Sequence, residues 1–243
     1  MKLVLLADGS VGAKFARFLL EKYPDDLSLI VTAQINDIYR EAVAKGIRAC
    51  KFETEEKVLE KIESGVDLGI LAWWPNILKT PLLEAPWMGF VNTHPSLLPH
   101  NRGKHYNFWA LVEQAPFGVT IHRVDAGVDS GAIVSQLPID YGWCDTGETL
   151  YNKAQAAMLQ LLTELYPALR DGQFTSTPQN VETGSFHRAS ELELASKIDL
   201  EKNYLARDLL NLLRARTFEG HPGCWFDDAG SRYEIAIKIR KVR

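Results

Sequence analysis

The residues best suited to chemistry stand at the end of a predicted strand, in the segment FVNTHPSLLPHNRGKHYNFW (residues 90–109). Asn92 and His94 are two positions apart on that strand, so their side chains point to one face and that of Thr93 to the other. Pro95 then holds His94 in an extended conformation. An amide and an imidazole fixed side by side can stabilise an oxyanion and move a proton. An isolated Asn-x-His pair can equally do no more than satisfy loop backbone groups.

A second polar turn lies at residues 124–133, VDAGVDSGAI. Its glycines allow a sharp turn and a close approach of the backbone to a ligand. Asp129 lies between them, and a carboxylate on a rigid turn next to an imidazole would orient the ring and favour its charged form. Asp125 can instead cap the turn, which is the usual role of an aspartate in such a loop.

Metal binding is the other interpretation of His94, His100, His105 and the nearby acids. Their spacing matches no zinc pattern, and the intervening prolines prevent them from sharing one helical face. The sequence therefore predicts no metal site.

The elements that must position these residues alternate along the first half of the chain. Apolar runs typical of buried strands are separated by segments with helical spacing. Strands are predicted at residues 2–7, 27–32, 47–50, 68–73 and 88–93, and helices at 11–22, 37–45 and 55–64. This alternation predicts the α/β class: a Rossmann-like, doubly wound and mostly parallel sheet, in which ligands bind at the carboxyl ends of the strands.

The second half of the chain is predicted to end in a small appendage. The predicted elements are a helix at 106–112, an antiparallel pair at 118–124 and 132–137, a long helix at 146–169, a helix at 200–216 and two strands at 224–227 and 233–239. Residues 171–190 are rich in turn-forming residues. We therefore expect a catalytic domain over residues 1–172 and a small C-terminal region of one helix and a β-hairpin over residues 173–243.

Gly9 and Gly12 lie between the first strand and the first helix, in LLADGSVGAKFARFL. This geometry can present backbone N–H groups to a phosphate near Ser10. A dinucleotide fingerprint needs a third glycine and an acid at the end of the second strand, and both are missing here. A plain strand–helix turn is favoured, and a sugar or nucleotide phosphate contact at Ser10 stays open.

Composition excludes several classes of protein. The 243 residues carry a net charge of −4 with a pI of about 5.9, which argues against bulk nucleic-acid binding. The apolar start is too short for a signal peptide, and no segment approaches the ~20 apolar residues of a membrane span. The three cysteines are far apart and form no CxxC pair, so we expect free thiols in a reducing, cytoplasmic setting.

Two motifs together resemble a known family. NTHPSLLPHNRG, followed some distance on by GVTIHRVDAGVDSGAI, resembles the signature of the formyltransferases that use 10-formyltetrahydrofolate. The resemblance covers residues 68–170 most strongly and places Asn92, His94 and Asp129 at the family's catalytic positions. It implies that an amine attacks the formyl carbon, that Asn92 and protonated His94 stabilise the tetrahedral oxyanion, and that Asp129 orients His94 directly or through water.

The resemblance also implies a folate cleft between residues 73–78 and residues 124–129. Aromatic and aliphatic walls suit a flat pterin, and loop backbone groups can read its polar edge. The residues expected to line this cleft are Trp74, Ile77, Leu78, Val124 and Asp125. The alternative is that the tryptophans are ordinary core.

The substrate class is predicted from the features that differ between members of such a family, namely the C-terminal region and the surface charge. Enzymes acting on tRNA carry a sizeable C-terminal barrel and basic surface, whereas here only about 70 residues follow position 172 and the chain is acidic. The tail and the segment RGKHYNFWALVEQAPFGVTIH resemble the sugar N-formyltransferases, which implies a nucleotide-linked amino sugar used in bacterial surface polysaccharides. Arg102, Lys104, His105 and Asn107 are then candidate contacts to pyrophosphate and sugar hydroxyls, alongside Ser10.

Other interpretations stay open at this point. A glycinamide ribonucleotide type of enzyme acts on another small amine, and a non-catalytic or nicotinamide-binding Rossmann protein belongs to a different class. Of Arg214 and Arg216 in the tail helix, at most one is expected to meet a ligand, because they face different directions. A homodimer is expected from the resemblance, with the apolar tail hairpin (Trp225, Phe226, Tyr233, Ile235, Ile237) as its surface or, equally, as core.

Overall fold

The computed structural model describes residues 1–242, and its main feature is a central β-sheet. The strands are β1 (Leu3–Ala7), β2 (Leu27–Thr32), β3 (Ala49–Lys51), β4 (Leu68–Ala72), β5 (Phe90–His94), β6 (Arg102–Gly103), β7 (Gly118–Arg123), β8 (Ile133–Pro138), β9 (Phe186–His187), β10 (Cys224–Asp228) and β11 (Ser231–Ile235). The helices are α1 (Gly9–Lys22), α2 (Asp37–Ala44), α3 (Glu55–Leu59), α4 (Tyr106–Glu113), α5 (Gly147–Arg170), α6 (Glu191–Ala195) and α7 (Ala206–Arg216).

The central sheet has the strand order β3-β2-β1-β4-β5-β7-β8. Parallel pairing joins β3, β2, β1, β4 and β5, and β7 then pairs with β5 in the antiparallel direction. The apolar run of β1 is fully buried, as expected for a strand covered on both faces. These observations confirm the predicted α/β class with a mostly parallel sheet.

Strand β8 forms one edge of the sheet and runs antiparallel to β7. The amide of Arg123 donates to the carbonyl of Ala132, and the side chain of Gln136 donates to Thr120 Oγ1 at 2.9 Å. Residue numbers therefore rise along one strand as they fall along the other, which is antiparallel pairing. The glycine-bearing turn of residues 124–131 joins them. The predicted hairpin-like pair is therefore present.

The described chain divides into two compact units, and each is built from three stretches of sequence. The first unit contains Met1–His94, Thr120–Leu137 and Gln155–Gln179; the second contains Pro95–Val119, Pro138–Ala154 and the chain from Asn180 onward. Neither unit begins or ends at residue 172, and the predicted domain boundary there stays a prediction.

The second unit holds the small C-terminal core. Ile198, Leu213 and Cys224 are its buried centre, and the antiparallel hairpin β10–β11 turns at Ala229-Gly230, both with positive φ. Arg214 is buried in this unit, where its guanidinium donates to the carbonyls of Gly142 and Asp145 and to Asn211 Oδ1 at 2.5, 3.0 and 2.9 Å. Arg214 therefore has a structural role.

Three predicted elements have different bounds. Helix α3 ends at Leu59 instead of residue 64, because the chain tightens into i→i+3 hydrogen bonds before the left-handed Gly65. Helix α7 begins at Ala206 instead of residue 200, because the side chains of Asp199 and Tyr204 bind backbone amides of the preceding turn. Strand β11 ends at Ile235 instead of residue 239.

Within residues 1–242 no helix is both long enough and apolar enough to span a membrane.

Candidate active site

Strand β5 presents Asn92 and His94 on one face, as the alternation of strand side chains requires. Thr93 points to the opposite face, where its hydroxyl donates to the carbonyl of Leu71 at 3.1 Å and accepts from the amide of Trp73 at 2.9 Å. Trp73 has a left-handed backbone with φ of 59°. Thr93 therefore fixes the exit of the chain from β4 beside the two candidate catalytic groups.

His122 on β7 lies directly opposite Asn92 in the sheet register. Its Nδ1 is 2.8 Å from the carbonyl oxygen of Arg123, and a carbonyl cannot donate, so Nδ1 carries the hydrogen. In the neutral ring Nε2 is then an acceptor, and Asn92 Nδ2 lies 3.3 Å from it. His122 thus orients the Asn92 amide, a role that the sequence reasoning did not assign.

Asp129 lies between the two imidazoles. Its Oδ2 is 3.3 Å from His94 Nδ1, and its Oδ1 is 3.6 Å from His122 Nε2. The side chains of His94, His122 and Asp129 are 6%, 3% and 14% exposed, so their electrostatic interactions take place in a medium of lower polarity than water. Asn92, His94 and Asp129, predicted as a constellation, are brought together in the first unit.

Two features hold the Asp129 turn in place. Asp129 itself has φ of 50°, a left-handed backbone that aspartate tolerates better than most residues. Gln179 donates from Nε2 to the carbonyls of Asp129 and Gly131, at 3.1 and 2.5 Å. A Cβ atom at Gly131 would lie 1.8 Å from the carbonyl oxygen of Arg123, so only glycine allows the turn to approach β7 this closely.

This geometry defines which atoms are available for chemistry. Because the Asp129 carboxylate faces Nδ1 of His94, it favours the hydrogen on that atom, and Nε2 is then the basic nitrogen of the neutral ring. The Asn92 amide, anchored through one hydrogen to His122, has a second hydrogen that can meet developing negative charge. Among residues 1–242 no group of three or more histidine, cysteine or carboxylate side chains is placed to hold a metal ion.

The five predicted folate-contacting residues lie in two segments of the first unit. Trp74 packs edge-on against Phe52 at 5.4 Å between ring centroids, with its Nε1 buried and without a hydrogen-bond partner in the described chain. Leu78 is a buried core residue, and Ile77 is 73% exposed. Val124 packs against the same apolar core.

Asp125 is the fifth of these residues, and its carboxylate caps the turn. Asp125 Oδ1 accepts from the amide of Gly127 at 3.0 Å and from the hydroxyl of Ser130 at 2.8 Å. The capping role considered from the sequence is therefore present in the structure. Only atoms not used in this cap remain for a ligand.

The predicted substrate-contacting residues are divided between the units. Ser10 lies in the first turn of α1 in the first unit, and its hydroxyl donates to Gln155. Arg102, Lys104, His105 and Asn107 lie in the second unit, around the short pair β6–β9 and the start of α4. The Asn107 amide donates to the carbonyl of Gly147 at 2.8 Å.

A cluster of cations in the second unit has no acidic partner. Burial lowers the pKa of His105, and the nearby charges of Arg216 and Lys104 lower this pKa further. In the part of the chain that the structure describes, no carboxylate lies within 4 Å of Arg102, Lys104 or Arg216. The Nε atoms of Arg102 and Arg216 are buried without a hydrogen-bond partner. Such a cluster suits an anion with several charges.

The α/β sheet brings an amide, an imidazole and a carboxylate together at the end of β5, and these groups are suited to proton transfer and oxyanion stabilisation. Two family descriptions match the sequence: "Formyl transferase" over residues 23–165 and "N-formyltransferase dimerization C-terminal domain" over residues 191–241. Since the first match spans more than half of the chain, the protein belongs to the formyl transferase family. The predicted family and enzyme class are therefore confirmed.

Individual relatives agree with this assignment. The chain is 27% identical over 205 residues to the dTDP-4-amino-4,6-dideoxyglucose formyltransferase of Mycobacterium tuberculosis, covering 84% of this chain and 85% of the relative. A sugar N-formyltransferase from a Shewanella species superimposes with a TM-score of 0.83 at 22% identity, over 100% of this chain and 99% of that one.

A third relative was solved with ligands. The formyltransferase from Anoxybacillus kamchatkensis, in complex with UDP-4,6-dideoxy-4-formamido-L-AltNAc and tetrahydrofolate, has a TM-score of 0.62 at 26% identity. The match covers 80% of this chain and 89% of that one.

Proposed function

We propose that this enzyme transfers the formyl group of 10-formyltetrahydrofolate to the amine of a nucleotide-linked amino sugar. The observation that carries the proposal is the Asp129 carboxylate 3.3 Å from His94 Nδ1, with Asn92 on the same strand face. Two relatives support the substrate class: one is named for a dTDP-linked amino sugar, and the other was solved with a UDP-linked formamido sugar. The folate in one of those structures supports the formyl donor.

His94 is the group that we assign to proton transfer. The donor supplies an activated formyl carbon bound to nitrogen, and the attacking amine must lose a proton as the new bond forms. With Nδ1 held by Asp129, Nε2 of His94 is the basic nitrogen of the ring, and we assign it to carrying that proton towards the leaving nitrogen. Burial of the pair keeps competing water away from this exchange.

Asn92 is assigned to the formyl oxygen. Its amide has two hydrogens, and one is directed to His122 Nε2. The second is free to donate to the oxygen as negative charge develops there, and the rigid strand supplies this donor without reorganisation. Protonated His94 adds a positive charge on the same face.

The segments on either side fit a flat ring system with a polar edge. The buried Trp74 Nε1 lacks a partner in residues 1–242 and can donate to such an edge, and Leu78 supports the segment from the core. The exposed Ile77 can cover a ring. We assign the folate to Trp74, Ile77, Leu78, Val124 and Asp125 on this basis.

The cations of the second unit are assigned to the diphosphate of the sugar nucleotide. Arg102 can bind two phosphate oxygens at once and Lys104 acts as a point charge, and both have no carboxylate to neutralise them. His105 adds a ring donor, and Asn107 retains its side-chain oxygen for a sugar hydroxyl because only its nitrogen is bonded. Ser10 is assigned to the sugar nucleotide in the first unit.

A transfer assay with a panel of dTDP-, UDP-, GDP- and CMP-linked amino sugars tests the proposal. We expect turnover with at least one member, dependence on 10-formyltetrahydrofolate, and a loss of roughly a hundredfold or more in His94→Ala. Arg40→Met, on the exposed surface of α2, is the matched control and keeps the wild-type rate. The absence of turnover with every member, or a His94→Ala variant with the wild-type rate, contradicts the proposal.

Three further assignments accompany this function. We propose that the product is used in bacterial surface polysaccharides, that the enzyme works in a reducing, cytoplasmic compartment, and that it forms a homodimer through β10–β11. The free thiols of Cys50, Cys144 and Cys224 support the compartment, and the match to the dimerization domain supports the assembly. Sedimentation of the wild-type chain and of a Tyr233→Asp variant, compared with each other, tests the proposed homodimer.

A further inference from the structure

The first unit has a second cleft away from the catalytic groups. It is an open cleft of about 620 Å³ beside the residues that precede β4 and β5 and those that end α5. His122 and Arg123 are consecutive on β7, so Arg123 points to the sheet face opposite to His122 and Asn92. Because His94 ends β5 and Met88 precedes it, the cleft and the catalytic pair also lie at opposite ends of that strand.

Arg123 is a half-buried cation of this cleft without an acidic partner. Its Nη1 donates to the carbonyl of Met88 at 2.9 Å, its Nε donates to Ser176 Oγ at 3.2 Å, and its guanidinium lies 4.9 Å from the centre of the Phe174 ring. These neutral groups fix the side chain but do not balance its charge. Among the described residues, no carboxylate lies within 4 Å of the Arg123 guanidinium, so no carboxylate accepts a hydrogen bond from its Nη2.

The cleft has four other charged groups, and the amino group of Met1 is one of them, 3.8 Å from Asp26. Arg170 is matched by Asp26 through a 2.7 Å contact. Asp67 accepts from the amide of Lys2 at 2.6 Å and from Trp87 Nε1 at 2.7 Å. Asp171 is 57% exposed and makes only a 3.8 Å contact to Arg170. Arg123 is therefore a cation of the cleft without a carboxylate partner among the described residues, and Asp67 and Asp171 are the two lining acids that oppose an anion.

The rim also carries an exposed aromatic surface that is held rigid. The Trp87 side chain is 73% exposed, yet its hydrogen bond to Asp67 fixes the ring. Phe174 and Met88 line the cleft beside it. A large exposed indole, fixed next to an unpaired guanidinium, is a combination suited to a flat ligand with a negative group.

We propose that this cleft binds a small molecule made of a flat apolar ring and a carboxylate or phosphate. The oxyanion accepts from Arg123 Nη2 and lies near Arg170, while the ring packs against Trp87. This site is independent of the proposed transfer reaction. A volume of about 620 Å³ accommodates a ligand of this size.

Calorimetric titration of the full chain with 1-naphthoate, 1-naphthyl phosphate and uncharged 1-naphthol tests the site. We expect saturable binding of one or both anions and at least tenfold weaker binding of the naphthol, because a charge-assisted hydrogen bond contributes about this factor. The two anions distinguish a carboxylate ligand from a phosphate ligand. If neither anion binds up to millimolar concentration, the proposal is wrong.

Variants place the bound anion in the cleft. Arg123→Met is expected to weaken binding at least tenfold and Trp87→Ala about threefold, whereas Asp171→Asn is expected to tighten it about twofold by removing the opposing charge. His94→Ala and Arg40→Met are controls and retain wild-type affinity. Binding that survives Arg123→Met, or that is lost in His94→Ala, overturns the proposal. If Arg123→Met fails to fold by thermal melting, opposite shifts in Trp87→Ala and Asp171→Asn support the site, and unchanged affinity in both rejects it.

Discussion

Replacement of Asp129 by asparagine isolates the contribution of one charge to catalysis. The Asn side chain has nearly the same shape, and asparagine accepts the left-handed backbone at φ of 50° as readily as aspartate. Gln179 binds the main-chain carbonyl of this residue and not its side chain, so the turn keeps its brace. Asp129→Asn therefore removes the negative charge and leaves the fold of the loop intact.

The size of the effect follows from the distance between the charges. At 3.3 Å and an effective dielectric constant of about 20, the attraction between the carboxylate and a protonated His94 is about 5 kcal/mol. At about 1.4 kcal/mol for each factor of ten, that value limits the rate loss to between three and four decades. Part of this attraction exists before the reaction and does not accelerate it. We therefore expect kcat to fall by roughly 10²- to 10³-fold.

The measurement is steady-state kinetics with both substrates, together with thermal melting. KM for the sugar nucleotide and for the folate is expected to change by less than about threefold, since Asp129 acts through His94. Asp37→Asn, whose side chain is 76% exposed on α2, is the control for loss of an aspartate. A kcat within threefold of wild type in a well-folded Asp129→Asn variant refutes the assigned role of the carboxylate.

Three other predictions concern the surrounding groups. His122→Leu removes the acceptor that orients Asn92 and is expected to lower kcat roughly tenfold or more without loss of substrate binding, which kinetics measures. Arg216→Met is expected to raise KM for the sugar nucleotide about tenfold. The same variant is expected to raise the pKa of His105 in an NMR titration, because the charge of Arg216 lowers that pKa. An unchanged pKa of His105 contradicts the proximity of the two groups. Since the folded pKa of His105 is lowered, its neutral form contributes stability that is complete above about pH 6.5 and is lost as the pH falls from there through the folded value. Urea unfolding at pH 7.5 and 5.5 is expected to show a smaller pH dependence in His105→Asn, which fits the φ of 60°, than in wild type.

Local patterns were sufficient to predict the strand that carries the site. Asn92 and His94 share a face because strand side chains alternate, and Pro95 sets the end of that strand. The buried apolar runs of β1 and β4 likewise predicted the parallel core. Asp129 was identified because it lies between two glycines of a tight turn. The family resemblance then placed this turn together with His94.

Long-range partners could not be predicted in the same way. His122 stands in the quoted segment, but its role depends on the register of β5 against β7, which places it opposite Asn92. Gln179 is 50 residues from the carbonyl that it supports. The sequence could not decide which of Arg214 and Arg216 is able to meet a ligand. In the structure Arg214 is buried and binds backbone carbonyls, whereas the Nε of Arg216 has no hydrogen-bond partner among the described residues. No periodicity encodes such contacts.

The chain passes from one compact unit to the other five times, after residues 94, 119, 137, 154 and 179. Consequently no single cut yields two self-sufficient fragments, and an expression clone stopped at residue 172 would lack Gln179, which braces the turn of Asp129. Limited proteolysis is then expected to destroy both halves together instead of releasing a stable piece. An exchange of either unit between relatives will require several segments to be grafted at once.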